Sequence, residues 1–259
     1  MTVKLHYTRS GSGPPVVLLH GLFGSGNNLG ALARALQESC CVYSIDLPNH
    51  GRSDWLESAS LAAMADCLVH WLRSQDLAGA AFVGHSLGGK VAMQLALARP
   101  ELVSALVVAD IAPVDYPPHH DQVFAALEAV ALGQCSSRQD AAMVMAAHLA
   151  EEQVIQFLLT SLRREADGVY RWRFNLEELR RGYGAVRASP TATLPYAGPV
   201  LFIKGGESDY IREEHRGRIL GLFPRAGVKV MPGCGHWLHA QRPQLFNGLV
   251  LRFLQKQLL

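Results

Sequence analysis

The chain has 259 residues, 49% of them hydrophobic and 18% charged, with 24 basic side chains against 22 acidic ones. That is enough apolar material for one core, or a core with an insertion, and it excludes a disordered chain. A net charge of +2 gives no electrostatic case for nucleic acid, and apolar runs such as residues 16–19 fall far short of the roughly 20 residues of a membrane-spanning helix.

Residues 1–10 carry Lys4, His6 and Arg9 without an apolar block, so no secretory leader is expected. The five cysteines (Cys40, Cys41, Cys67, Cys135 and Cys234) are odd in number and show no C-x-x-C spacing. Free thiols in a reducing compartment follow, hence an expected cytoplasmic location.

Along the chain, residues 16–19, 42–45, 81–83, 106–109, 200–203 and 228–231 read as buried strands: short, rich in Val, Ile and Leu, and bounded by Gly, Pro or Asp. Helical patterns lie between them at 29–37, 61–73, 87–98, 212–222 and 244–258. This rhythm predicts an α/β fold with a mostly parallel, doubly wound sheet. It breaks once, for about 90 residues between Asp110 and Val200, where 121–132, 138–149, 152–162 and 176–187 look helical. So long a gap with helices of its own predicts an inserted helical cap over residues 112–190, on a core of residues 1–111 and 191–259. It leaves the sheet at a strand's C-terminal end, where open α/β folds bind ligands.

Gly84-His85-Ser86-Leu87-Gly88 matches G-x-S-x-G, with a predicted strand running in and a helix running out. That is the setting of a nucleophile elbow. A side chain at 84 or 88 would collide with neighbouring backbone in so sharp a turn. Ser86 is then raised at a helix N-terminus, where free N–H groups favour developing negative charge. His20-Gly21-Leu22-Phe23-Gly24 follows the first predicted strand. Its Leu22 N–H, with that of Leu87, would form an oxyanion hole, Phe23 N–H being the substitute donor. Gly233-Cys234-Gly235-His236-Trp237 follows the last strand and offers His236 as the base. Among rival histidines, His239 should start the final helix and His85 should point away. His119 and His120 read as surface residues of the cap, with pocket lining the lesser alternative. Two acids end strands on the correct side, Asp110 and Asp209, and either fits the order Ser, Asp, His.

These motifs resemble the α/β-hydrolase family over essentially the whole chain. Asp46-Leu47-Pro48-Asn49-His50-Gly51-Arg52-Ser53 is similar to the loop after that fold's fourth strand. A closer resemblance, to the YbfF-type bacterial esterases and their mitochondrial relatives, rests on His20-Gly21-Leu22-Phe23-Gly24-Ser25, Asn49-His50-Gly51, Asp110-Ile111-Ala112-Pro113-Val114, Arg171-Trp172-Arg173-Phe174-Asn175 and Gly235-His236-Trp237. Pro48 is a departure, standing where relatives often carry a basic residue. The resemblance implies a serine esterase or thioesterase with a helical cap. It places the triad acid at Asp110 in the nearer relatives and at Asp209 in the wider fold, so both stay open.

The expected reaction is hydrolysis of a small-molecule ester or thioester through an acyl-Ser86 intermediate, with no metal or cofactor. A serine nucleophile argues against dehalogenase and epoxide hydrolase chemistry, which need a carboxylate. An acyl-CoA thioesterase, a serine-triad C–C hydrolase or lyase, and a non-catalytic binding protein are the alternatives. Seven arginines lie between 163 and 187 (163, 164, 171, 173, 180, 181 and 187). They read either as a basic rim for an anionic substrate or, more simply, as solvated helix faces.

Overall fold

The computed structural model describes residues 3–132 and 135–258. In chain order the elements are β1 (Tyr7–Ser10), β2 (Pro15–Leu19), α1 (Gly30–Leu36), β3 (Cys41–Ile45), α2 (Leu61–Ser74), β4 (Ala80–His85), α3 (Leu87–Ala98) and β5 (Val103–Ala109). Then follow α4 (Asp121–Leu132), α5 (Arg138–Ala146), α6 (Glu152–Leu159), β6 (Leu162–Arg164), β7 (Tyr170–Trp172), α7 (Leu176–Arg181) and α8 (Tyr183–Arg187). The chain returns through β8 (Val200–Gly205), α9 (Arg216–Leu222), β9 (Ala226–Met231), α10 (Leu238–Gln241) and α11 (Pro243–Leu258).

Seven strands form one sheet in the order β1-β3-β2-β4-β5-β8-β9. Only the β1–β3 pairing is antiparallel. The central strands are continuously apolar because both faces are covered. Along β2 the alternation is visible: Val17 and Leu19 join a cluster with Trp71 of α2 and Val91 of α3, while Val16 and Leu18 join Leu32 and Leu36 of α1 and Phe246 and Val250 of α11. All four β2 side chains are at most 1% exposed, and each contributes about 1.5–3 kcal/mol by leaving water.

Lys90, on α3 one turn beyond Ser86, is buried. Its ammonium donates to Val114 O (2.8 Å), Arg187 O (2.5 Å) and Ala188 O (2.6 Å). One side chain therefore ties down the chain just after β5 and just after α8, and holds both ends of the segment between β5 and β8 against the sheet.

Four features depart from the expected pattern. The run at 228–231, expected as a buried strand, belongs to the edge strand β9 and leaves Val228 and Val230 exposed. β1 was not foreseen. It is an edge strand with polar Thr8, Arg9 and Ser10, and it lacks the apolar run that marks a buried strand. The helix expected over 152–162 stops at Leu159, and Leu162 instead opens the β6–β7 hairpin, whose turn includes Gly168 at φ 83°. The helix expected over 176–187 is broken at Gly182 into α7 and α8. Among the described residues, no helix is long and apolar enough to cross a membrane.

Candidate active site

β4 runs into α3 through a single residue, Ser86, at φ 52° and ψ −117°. Holding a non-glycine residue there costs about 1–3 kcal/mol, and the surrounding contacts leave the chain no alternative. A Cβ on Gly84 would stand 2.3 Å from Gly88 O, and one on Gly88 2.3 Å from Leu19 O. Ser86 N donates to Ala109 O at 3.0 Å. From Ala80 to Leu97 every residue is buried except Ser86. Leu87 opens α3, so its amide has no acceptor within the helix.

The loop after β2 passes beside this turn: a Cβ on Gly21 would lie 3.4 Å from Ser86 Cβ. Two buried histidines hold the loop. His20 Nδ1 donates to Gly21 O (2.8 Å) while Nε2 accepts from Leu47 N (2.9 Å). His50 Nδ1 donates to Pro48 O (2.9 Å) while Nε2 accepts from Phe23 N (3.1 Å). A carbonyl only accepts and an amide only donates, so both rings are neutral with the proton on Nδ1. Burial depresses both, His50 to about 3. Phe23 N–H, the substitute oxyanion donor of the sequence reading, is therefore spent on His50. Phe23 O is spent as well, accepting from Ser161 Oγ at 2.7 Å. Leu22 N–H has no protein acceptor among the described residues. Sequence reasoning had no role for His20 and His50. The only available signal was a histidine beside glycine in two loops.

Directly after β5 comes Asp110, which is fully buried and held at φ 52°. Its Oδ2 lies 2.8 Å from His236 Nδ1 and also accepts from Ser208 Oγ, while Oδ1 accepts from Gly205 N at 2.9 Å. Asp209, the other candidate acid, is exposed, and it is its neighbour Ser208 that reaches the site. The His236 ring stacks on Tyr210, centroids 3.9 Å apart and planes 22° apart.

Four histidines sit otherwise than expected. His85 does not point away: its Nε2 donates to His236 O (2.9 Å) and its ring lies 4.7 Å from that of His236. His239 belongs to the short helix α10 rather than to α11. His119 and His120 line the cavity that holds Ser86 and His236, with His119 Nε2 bonded to Tyr210 OH at 2.8 Å and His120 Nδ1 to Tyr183 OH.

That cavity has a volume of about 260 Å³. Leu22, Ser86, His236 and Trp237 form its floor, and Val123, Val154, Phe157 and Leu158, from the segment between β5 and β8, form its roof. An apolar groove of about 490 Å³ lies on the far side of Phe157 and Trp237. The arrangement joins the Ser86 hydroxyl, an imidazole oriented by a buried carboxylate, and two amides without protein partners among the described residues. No cluster of three or more potential metal ligands is found among the described residues.

Residues 16–249 match the profile of the alpha/beta hydrolase family. The chain belongs to the α/β-hydrolase family. It is 42% identical to "Esterase YbfF" of Escherichia coli (strain K12), over 93% of this chain and 92% of that protein. It is 39% identical to "sn-1-specific diacylglycerol lipase ABHD11" of Mus musculus, over 93% of this chain and 81% of that protein. A solved structure described as "Marine microorganism esterase" superposes with a TM-score of 0.94 at 36% identity, covering 97% of this chain and 99% of that one. The α/β hydrolase described here is thus an enzyme of the YbfF esterase kind.

Proposed function

We propose that this α/β hydrolase cleaves carboxylic esters of small acyl groups through an acyl-serine intermediate, with Ser86 as nucleophile, His236 as base and Asp110 as the acid that orients it. Residues 112–190 act as a cap over a core of residues 1–111 and 191–259. The observation that carries the reading is the pairing of His236 Nδ1 with Asp110 Oδ2 on the wall of the cavity that exposes Ser86.

Asp110 accepts the Nδ1 proton and so leaves His236 Nε2 as the basic nitrogen. Nε2 takes the Ser86 hydroxyl proton as Oγ bonds to the substrate carbonyl carbon. The oxygen becomes an oxyanion held by the N–H groups of Leu22 and Leu87, worth about 10²–10³ in rate for each donor. The C–O bond to the leaving group breaks, and His236 returns the proton to that oxygen. Water then gives a proton to His236 and attacks the acyl-Ser86 carbonyl, and the proton goes back to Ser86 as the acid departs.

The apolar roof and the cavity volume of about 260 Å³ suit a short acyl group. A second reading, a lipase for longer chains, draws on the groove beyond Phe157 and Trp237. Esters of graded acyl length separate the two: activity peaking at short chains supports the first, and activity rising with length supports the second. The chemistry itself is tested by labelling with a fluorophosphonate. Wild type should label and hydrolyse a short p-nitrophenyl ester, and Ser86→Ala should do neither. Labelling of Ser86→Ala at the wild-type rate would overturn the assignment.

A further inference from the structure

The seven arginines between 163 and 187 do not form one surface. Arg171 pairs with Asp167, Arg180 with Asp121 and Glu128, and Arg181 with Glu178. Arg164 and Arg187 donate to the backbone carbonyls of Gly168 and Tyr116. Arg163 and Arg173 have neither kind of partner among the described residues. Both face a cavity of about 400 Å³, distinct from the one at Ser86, and Arg52 of the loop after β3 lines it too.

Backbone pairing brings the three together. Arg173 N donates to Ser161 O at 2.9 Å, which continues the β6–β7 hairpin. The next residue, Phe174, bridges His50, and Asn175 N donates to Asn49 O at 2.9 Å. The hairpin is thereby fastened to the loop that carries Arg52. Asp46 is the one carboxylate lining the cavity, and its oxygens are taken by Gly26 N (2.7 Å), Arg52 N (2.9 Å) and His6 Nδ1 (3.1 Å). It serves as a backbone anchor for the loop, and with Glu165 nearby it offsets only part of the charge of the three guanidiniums. Gathering like charges in a half-enclosed space is unfavourable unless a counter-charge arrives. Burial, then Arg163 and Arg52, lower Arg173 from its ordinary value, while Asp46 and Glu165 offset part of that.

We propose that the cavity bounded by Arg52, Arg163 and Arg173 is a binding site for a phosphate group, separate from the hydrolytic cavity. Guanidiniums match the oxygens of phosphate in geometry and charge, and the serine and asparagine side chains at 25, 27 and 28 line the same cavity. The two cavities are one residue apart. Ser161 lines the phosphate site, and its hydroxyl holds the carbonyl of Phe23, which lines the hydrolytic one. The phosphate is either a free anion or a group carried on the substrate.

The test is calorimetric titration with inorganic phosphate at low ionic strength. Wild type should bind one equivalent saturably. Arg163→Gln and Arg173→Gln should each bind about tenfold more weakly, and Arg180→Gln, which removes an ion-paired surface arginine, should bind as wild type does. Unchanged hydrolysis of a small neutral ester by each variant shows that it is folded. Absence of saturable binding, or equal affinity in wild type and Arg173→Gln, overturns the proposal. The source of the phosphate is read from a phosphate-bearing ester. A KM raised in Arg173→Gln for that ester alone assigns the group to the substrate, and an unchanged KM assigns it to a free anion.

Discussion

His236 Nδ1 stands 2.8 Å from Asp110 Oδ2, across 126 residues of sequence, whereas Asp209 projects into solvent. Asp110→Asn should lower kcat by about 10⁴, because an amide presents the wrong partner to Nδ1–H and lets the imidazole adopt the other tautomer. Asp209→Asn should leave kcat near wild type. Steady-state kinetics on one neutral ester checks both, and the reverse ranking would reassign the acid.

The His50 staple has a separate consequence. Removing its imidazole frees Phe23 N–H and loosens the loop that positions Leu22 N. His50→Ala should therefore reduce kcat by up to about 10² while KM changes little. A change confined to KM would mean that the loop shapes binding rather than the oxyanion site.

Two glycine substitutions should act in opposite directions. Gly84→Ala places a Cβ 2.3 Å from Gly88 O, backbone against backbone, so nothing flexible can yield. It should cost about 3 kcal/mol or more of stability. Gly217, near the start of α9, faces open space. Gly217→Ala should raise stability by about 0.5–1 kcal/mol through helix propensity. Urea unfolding of the two variants gives the comparison.

Burial lowers His50 to about 3, and burial followed by the neighbouring His236 lowers His239 to about 4. Unfolded, both regain the ordinary value near 6.5. Below that value the unfolded chain holds more protons than the folded one, so stability falls as pH drops from 6.5 towards 4. His239 Nδ1 is also buried without a partner among the described residues. His239→Phe should therefore flatten the fall by about 1.4 kcal/mol per pH unit, measured as unfolding free energy across that range. An identical slope in both proteins would show that His239 is protonated in the folded chain as well.

The alternation of short apolar runs with amphipathic helices was enough to read a doubly wound parallel sheet, because the central strands are buried on both faces and say so in composition. The glycines at 84 and 88 likewise announced a tight strand-to-helix turn, since hard-sphere contact within five residues leaves few other conformations. β1 and the β6–β7 hairpin were not legible: one is a polar edge strand and the other has three-residue strands, too short to show a period. Where local sterics and periodicity ruled, the order of residues was sufficient. Only the tertiary structure could choose Asp110 over Asp209 as the neighbour of His236, spend Phe23 N–H on His50, turn His119 and His120 into the cavity, and set Arg52 against Arg163 and Arg173. Each of those depends on how strand ends and loops distant in the chain come to lie side by side, which sheet register and packing decide and no local pattern records.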